Sequence, residues 1–314
     1  MLYPIAYSVP EELIVPYVPF KTCHTASHAY QFTQSEPYLK NYRNAIFGKT
    51  CLKCGWDAFR HYEILSQGTI PLFENLQGCP KQTLCTFPKE QVLSLMEKYG
   101  ERSYEDILKE SSSHLYEDID SLLRYTRDNL TTRKSAEYIL SKTETPGTKR
   151  ILYLHNIKAE DYLCSMLAHG FLRYTEGSVD IYPQIHHVYD DFPSEQTVQL
   201  YGKGFNYTRH IPHSFKKQQT EDEVWANIRE RKYDHIICFI HCRSEHSLPF
   251  QTADRHFGTY YHPREISLVC GRDCDPYYDP HRAPNREWWI RDNHNCPLKA
   301  HSGSLNVFVR EFGG

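Results

Sequence analysis

Nowhere in the 314 residues is there an apolar run approaching the ~18 residues that a membrane-spanning helix needs. An excess of charge of one sign is missing too. With 36 Lys and Arg against 39 Asp and Glu, the formal net charge is -3, which argues against a nucleic-acid-binding domain and its concentrated basic surface. The stretch Met1-Leu2-Tyr3-Pro4-Ile5 has no basic flank and no long apolar core, so no secretory signal is expected. The 11 cysteines, an odd number, form no dense disulfide framework, and reduced thiols in the cytoplasm are the expectation. Internal repeats and low-complexity tracts are lacking. No glycine-rich loop follows Ile151–Leu154, which argues against a Rossmann-type methyltransferase.

What is present is an ordinary globular composition, 40% hydrophobic and 24% charged, in a chain long enough for two domains with their own cores. Histidine (18) and tyrosine (24) are plentiful and supply polar aromatic surface suited to stacking on sugars. Two segments are expected as domains, 1–142 and 150–314, with the polar, Pro-Gly-containing stretch 143–149 as linker. The first opens on a strand-like Ile5–Val9 and closes on helical patterns at 89–99, 103–110 and 114–141, where Leu115, Ile119, Leu122 and Leu123 recur three and four apart. In the second, apolar runs at 151–155, 179–182, 233–240 and 266–270 alternate with helical stretches at 160–174 and 220–231. That order predicts an α/β fold of two Rossmann-like domains, with helix-covered, mostly parallel sheets. Ligands of such sheets sit beyond the carboxyl ends of the strands, which draws His155, His241, Arg243, Arg272 and Asp273 toward a cleft.

The most informative stretch runs from Cys51 to Phe73. It reads as an entry turn, a helix over 57–67, a stop at Gly68 and a buried strand Ile70-Pro71-Leu72-Phe73. Arg60 and His61 lie three and four residues after Asp57, and Glu63 three after Arg60, so they are expected to share a helix face. Glu63 would accept from ribose hydroxyls, while Arg60, His61 and Lys53 would counter phosphate charge. The alternative is a set of paired charges on a solvated face.

The pattern Gly55-Trp56-Asp57-x-x-Arg60-His61-Tyr62-Glu63-Ile64-Leu65-x-x-Gly68-x-Ile70-Pro71-x-Phe73 resembles the donor-binding domain of GT-B glycosyltransferases. It is most similar to the exostosin-like group and related enzymes of large algal and amoebal DNA viruses. A glutamate five residues before a glycine, itself three before a proline, binds the donor ribose in that family, and Glu63, Gly68 and Pro71 fit the spacing. The family's more amino-terminal glutamate falls at Gly55 and is absent. Ser8–Glu12, Cys79-Pro80-x-x-Thr83 and Phe87-Pro88-Lys89 extend the resemblance over about residues 5–100. Ile151–His155, Leu200–Phe205, Tyr233–Ile237, Ser267–Asp273 and Val307–Glu311 resemble the family's acceptor-side domain. The family places that domain first, so the order here implies a circular permutation, its seam joining Glu311–Gly314 to Tyr3-Pro4-Ile5, or two domains cut from a longer array.

The resemblance implies a glycosyltransferase that moves a sugar from a nucleotide-sugar to an acceptor hydroxyl of a glycan or glycoprotein, in the cytoplasm (of the host, if viral). Lys53, Trp56, Asp57, Arg60, His61, Glu63, Gly68, Thr69 and Pro71 are the expected donor-binding residues. His155 and Asp161, after the first strand of the second segment, are the positional candidates for the base of an inverting reaction, with a cap or loop hydrogen bond as the alternative for each. No cofactor or metal is required. Cys51-x-x-Cys54 with Cys79 and Cys85 has the wrong second spacing for zinc, and Asp273-x-Asp275 is a lone pair in a loop. The thiols of Cys238-x3-Cys242 and Cys270-x3-Cys274 are expected to be packed or in loops, and His186-His187 and His210-x-x-His213 to lie on the surface. The missing glutamate and altered order leave a non-catalytic nucleotide-sugar- or glycan-binding scaffold as the competing class.

Overall fold

Strand and helix alternate through both halves of the chain, and every paired strand runs parallel to its neighbour. The computed structural model describes residues 2–26, 32–53, 55–143, 150–155, 161–240, 259–271 and 306–310. Linker positions 144–149, Cys54, His241, Cys242, Arg243, Arg272, Asp273, Cys274, Asp275 and Glu311–Gly314 lie outside them.

After β1 (Leu2–Pro4), the first half places β2 (Cys23–Ala26), α1 (Ser35–Arg43), β3 (Ala45–Thr50), α2 (Phe59–Ser66) and β4 (Ile70–Phe73) in succession. These strands form a three-stranded sheet in the order β2-β3-β4, with α1 and α2 as the crossovers. α3 (Lys89–Tyr99), α4 (Tyr104–Asn129) and α5 (Thr132–Ser141) follow. The second half contains β5 (Ile151–His155), α6 (Tyr162–Tyr174), β6 (Asp180–Tyr182), α7 (Glu221–Arg229), β7 (His235–Ile240), β8 (Ile266–Cys270) and β9 (Asn306–Val309).

A six-stranded sheet in the order β1-β9-β8-β7-β5-β6 is thus built from residues after 150 plus the first three described residues of the chain. Leu2, Tyr3 and Pro4 pair with Val307, Phe308 and Val309. The expected opening strand at Ile5–Val9 is displaced to Leu2–Pro4, and Val9 makes only an isolated bridge to Thr131.

Burial on both faces explains the apolar runs. Successive side chains of a strand point to opposite faces, and here Tyr153, Ile237, Phe239, Val269 and Phe308 belong to one buried cluster while Leu152, Leu154, Ile236, Cys238, Leu268 and Val307 belong to another. The first cluster continues through α6 into the amino-terminal half, taking in Val9, Ile46, Phe47, Tyr62, Leu65, Ile119 and Ile139. α5 and α6 meet in that shared core at Gly170, where a Cβ would stand 2.1 Å from the Thr132 carbonyl oxygen, so the close crossing requires glycine.

Two helices differ from expectation. The patterns at 103–110 and 114–141 form one 26-residue helix, α4, and then a separate α5. The break falls where Val9 intervenes: its N–H donates to Leu130 O at 2.9 Å and its carbonyl accepts from Thr132 N–H at 3.0 Å. Thr131 then caps α5 by accepting from Lys134 N–H. α2 begins at Phe59 and ends at Ser66, two turns rather than three, so Asp57 stands ahead of the helix.

Candidate functional site

α2 is not an amphipathic surface helix. Every one of its residues except Arg60 is buried, because it crosses between β3 and β4 while α4 packs on it. Its polar side chains therefore need partners inside the fold. Asp57 accepts from Tyr7 N–H at 2.7 Å and from the Tyr62 hydroxyl at 2.8 Å. His61 lies between Thr50 Oγ1 (2.8 Å) and the Trp56 carbonyl (2.9 Å), so its Nε2 donates to the carbonyl and its Nδ1 accepts from the threonine. Burial pushes the His61 pKa down to about 3, and the ring is neutral at physiological pH. Both ring nitrogens thus face partners inside the fold, where a phosphate-facing cation was expected.

Glu63 is 6% exposed. The Tyr38 hydroxyl on α1 donates to its Oε2 at 2.7 Å, and Asn206 Nδ2, from a turn in the second half, donates to its Oε1 at 2.5 Å. Ser35 in turn donates to Asn206 Oδ1. Burial raises the Glu63 pKa; the bonds from Asn206 and Tyr38 oppose this, as do the fields of Arg60 and Lys53. Arg60 is half-buried and Lys53 exposed, so these two cations stand at the rim of the carboxylate. Trp56 is half-buried against the main core. Gly68 adopts φ +60° just past α2, the left-handed stop its position predicts. Thr69 is buried, its hydroxyl donating to Tyr42 O at 2.7 Å, and Pro71 pairs with Gly48 inside the sheet.

The second half brings its own groups to this place. Asp161 caps α6, its Oδ1 accepting from Cys164 N–H at 2.8 Å, which is the cap its position allowed for. Next to it, Tyr162 stacks on Phe59 at 5.1 Å between ring centres and meets Tyr201 at 5.3 Å and Tyr207 at 4.7 Å. Burial, then the Glu63 charge, drives the Tyr162 pKa upward. Arg310, 2% exposed just beyond β9, donates to Asp57 O at 2.7 Å and Gly271 O at 3.2 Å and lies 4.8 Å from the Tyr7 ring centre.

His155, at the carboxyl end of β5, faces the Pro183 carbonyl at 2.7 Å through Nε2, and burial lowers its pKa to about 4. Its link to the tyrosine cluster runs through His187, whose ring lies 5.4 Å from Tyr207. His187 is half-buried, with a bond to Ser165 Oγ at 2.8 Å, and His210 is half-buried too, while His186 and His213 are exposed as expected.

The structure thus gathers Asp57, Glu63, Asp161, Tyr162, Asn206 and Arg310 around one junction between the halves. Lys53 and Arg60 stand at its edge, while His61, Thr69 and Pro71 are interior. Tyr38, Asn206, Tyr162 and Arg310 were missed in sequence. Arg310 falls within the run Val307–Glu311, but nothing in its spacing points to Asp57, 253 positions away. A cavity of about 400 Å3 lies elsewhere, among Ala6, Cys85, Tyr125, Lys134 and Tyr138, and contains none of the candidate residues.

The fold defines an α/β protein with a six-stranded and a three-stranded parallel sheet. No helix among the described residues is long and apolar enough to cross a membrane. No protein-family model, curated protein or solved structure matches the chain.

Proposed function

We propose that this chain is a glycosyltransferase of the GT-B kind, moving a sugar from a nucleotide-sugar to an acceptor hydroxyl of a glycan or glycoprotein, in the cytoplasm. The observation that carries the reading is Glu63. It sits on the crossover helix between two parallel strands, five residues ahead of the left-handed Gly68, and meets Asn206 from the other half of the chain. A carboxylate already accepting from one hydroxyl and one amide is equipped to accept from ribose hydroxyls, with Asn206 yielding its place. Arg60 and Lys53 at the rim supply positive charge for the diphosphate. For an inverting reaction, Asp161 and His155, after the first strand of the second half, are the candidate bases. No metal is assigned to the transfer step.

Titration with a panel of nucleoside diphosphates and nucleotide-sugars, by calorimetry and by donor hydrolysis, tests this. One nucleotide is expected to bind, with Glu63→Ala weakening it at least about tenfold, the cost of a charge-assisted hydrogen-bond pair. Binding by none of the panel overturns the reading. A second reading, a non-catalytic scaffold on the same fold, is favoured by the saturation of Glu63, whose two oxygens are both engaged inside the protein. Nucleotide binding without hydrolysis or transfer selects it.

A further inference from the structure

Three potential metal-ligating side chains from distant parts of the sequence converge away from that junction. Glu11 and Glu12 occupy the 3-10 turn Glu11–Leu13, and His169 lies in the middle of α6. One ligand atom from each lies within 4.8 Å of the others, the one group of this kind among the described residues. His169 is 1% exposed, yet its Nε2 is buried without a hydrogen-bond partner. Its other nitrogen, Nδ1, is fixed by Thr132 Oγ1 at 2.7 Å. Since that hydroxyl donates to Glu11 Oε2 at 3.2 Å, Nδ1 donates to it, and Nε2 is the nitrogen left to ligate an ion.

Nε2 stands 3.4 Å from Glu12 Oε2. Two ligands each ~2.1 Å from a tetrahedral zinc ion stand ~3.4 Å apart. The surroundings also match the outer shell of a metal site, where ligand orientation is set by further hydrogen bonds. Thr132 orients the imidazole, and Arg173 holds the second oxygen of Glu12 and the His210 carbonyl. Arg133 N–H steadies Glu11 at 3.2 Å. The His210 ring stands edge-on to His169, 6.1 Å between ring centres.

We propose that Glu11, Glu12 and His169 bind a divalent ion of the zinc class, which braces the turn after β1 against α6. Mixed carboxylate and imidazole ligands at tetrahedral spacing suit zinc better than the oxygen-only preference of magnesium or calcium. The site is independent of the nucleotide-sugar reading.

The test uses the full chain stripped with a chelator and then titrated with zinc. One ion per chain is expected, with Tm rising by about 5 °C at a hundredfold excess over Kd. Glu12→Gln changes an exposed side chain and is expected to fold; it should weaken zinc at least about tenfold, as should His169→Asn. Cobalt substitution should give d–d absorption without a sulfur-to-metal charge-transfer band. Failure to take up zinc, or uptake that Glu12→Gln leaves unchanged, overturns the proposal. So does a thiolate band lost in Cys51→Ser, which places the ion on the cysteines instead.

Discussion

The two sheets are stabilised by different chemistry. In the six-stranded sheet the strand interiors are mostly aliphatic and aromatic; the buried histidines His155 and His235 sit at strand ends, and His235 meets the one buried serine of β8, Ser267, at 2.8 Å. The three-stranded sheet encloses Lys21, Thr50, Asp57, His61, Glu63 and Thr69, all buried. Lys21 is the extreme case. Its ammonium donates to Arg43 O at 3.0 Å, Gly68 O at 2.5 Å and Thr69 Oγ1 at 3.2 Å, closing the carboxyl ends of α1 and α2. Three acceptors match the three hydrogens of the charged amine, although burial pulls its pKa down to about 7. Apolar burial tolerates any partner of the right shape, whereas each buried polar group needs a specific one. The small sheet is therefore the more exacting structure, atom for atom.

Acid is expected to have the largest effect, and to act on both regions. Burial lowers His61 to about 3 and His155 and His235 to about 4, below the unfolded value near 6.5. The unfolded chain then binds more protons, so the contribution is full above pH ~6.5 and is lost as pH falls toward about 4. Denaturant titrations should show a loss on the order of 5 kcal/mol between those limits, after discounting for relaxation around each ring. Glu63 has the opposite sign, since its raised pKa favours the folded state at low pH and withdraws that support as pH rises.

Phe239→Ala breaks the apolar side of the comparison. It removes a fully buried ring from the large sheet and should cost about 3–5 kcal/mol in urea unfolding. Lys21→Met tests the polar side. It keeps much of the volume but strips two helix-end carbonyls of their donor, for an expected loss of about 2–3 kcal/mol. A loss well under 1 kcal/mol would show that the small sheet does not depend on its polar interior. Thr220→Ala serves as the mild reference: it removes the capping box at the start of α7 and should cost about 1 kcal/mol.

The same difference decides what could be read from sequence. Ile151–His155 and Ile266–Cys270 were legible as strands because a sheet buried on both faces leaves an unbroken apolar run. β2, reading Cys-His-Thr-Ala, carries no such run, and β3 is interrupted by Gly48 and Lys49. At the junction, Glu63 and Gly68 stood out by spacing, and Gly68 has the expected left-handed conformation. His61 is buried, which its place beside Arg60 and Glu63 in sequence does not show. Asn206 and Arg310 carry no local signal, since their partners are brought to them only by packing.

The sequence by itself determined the alternation of strand and helix, the parallel character of the larger sheet and the stop at Gly68, all consequences of apolar periodicity and local backbone preference. Tertiary structure alone decided that residues 2–4 complete the sheet of the second half, that Val9 divides α4 from α5, and that Glu63 meets Asn206 while Glu12 faces His169. Those outcomes depend on contacts between residues more than a hundred positions apart, and short-range pattern carries no record of them.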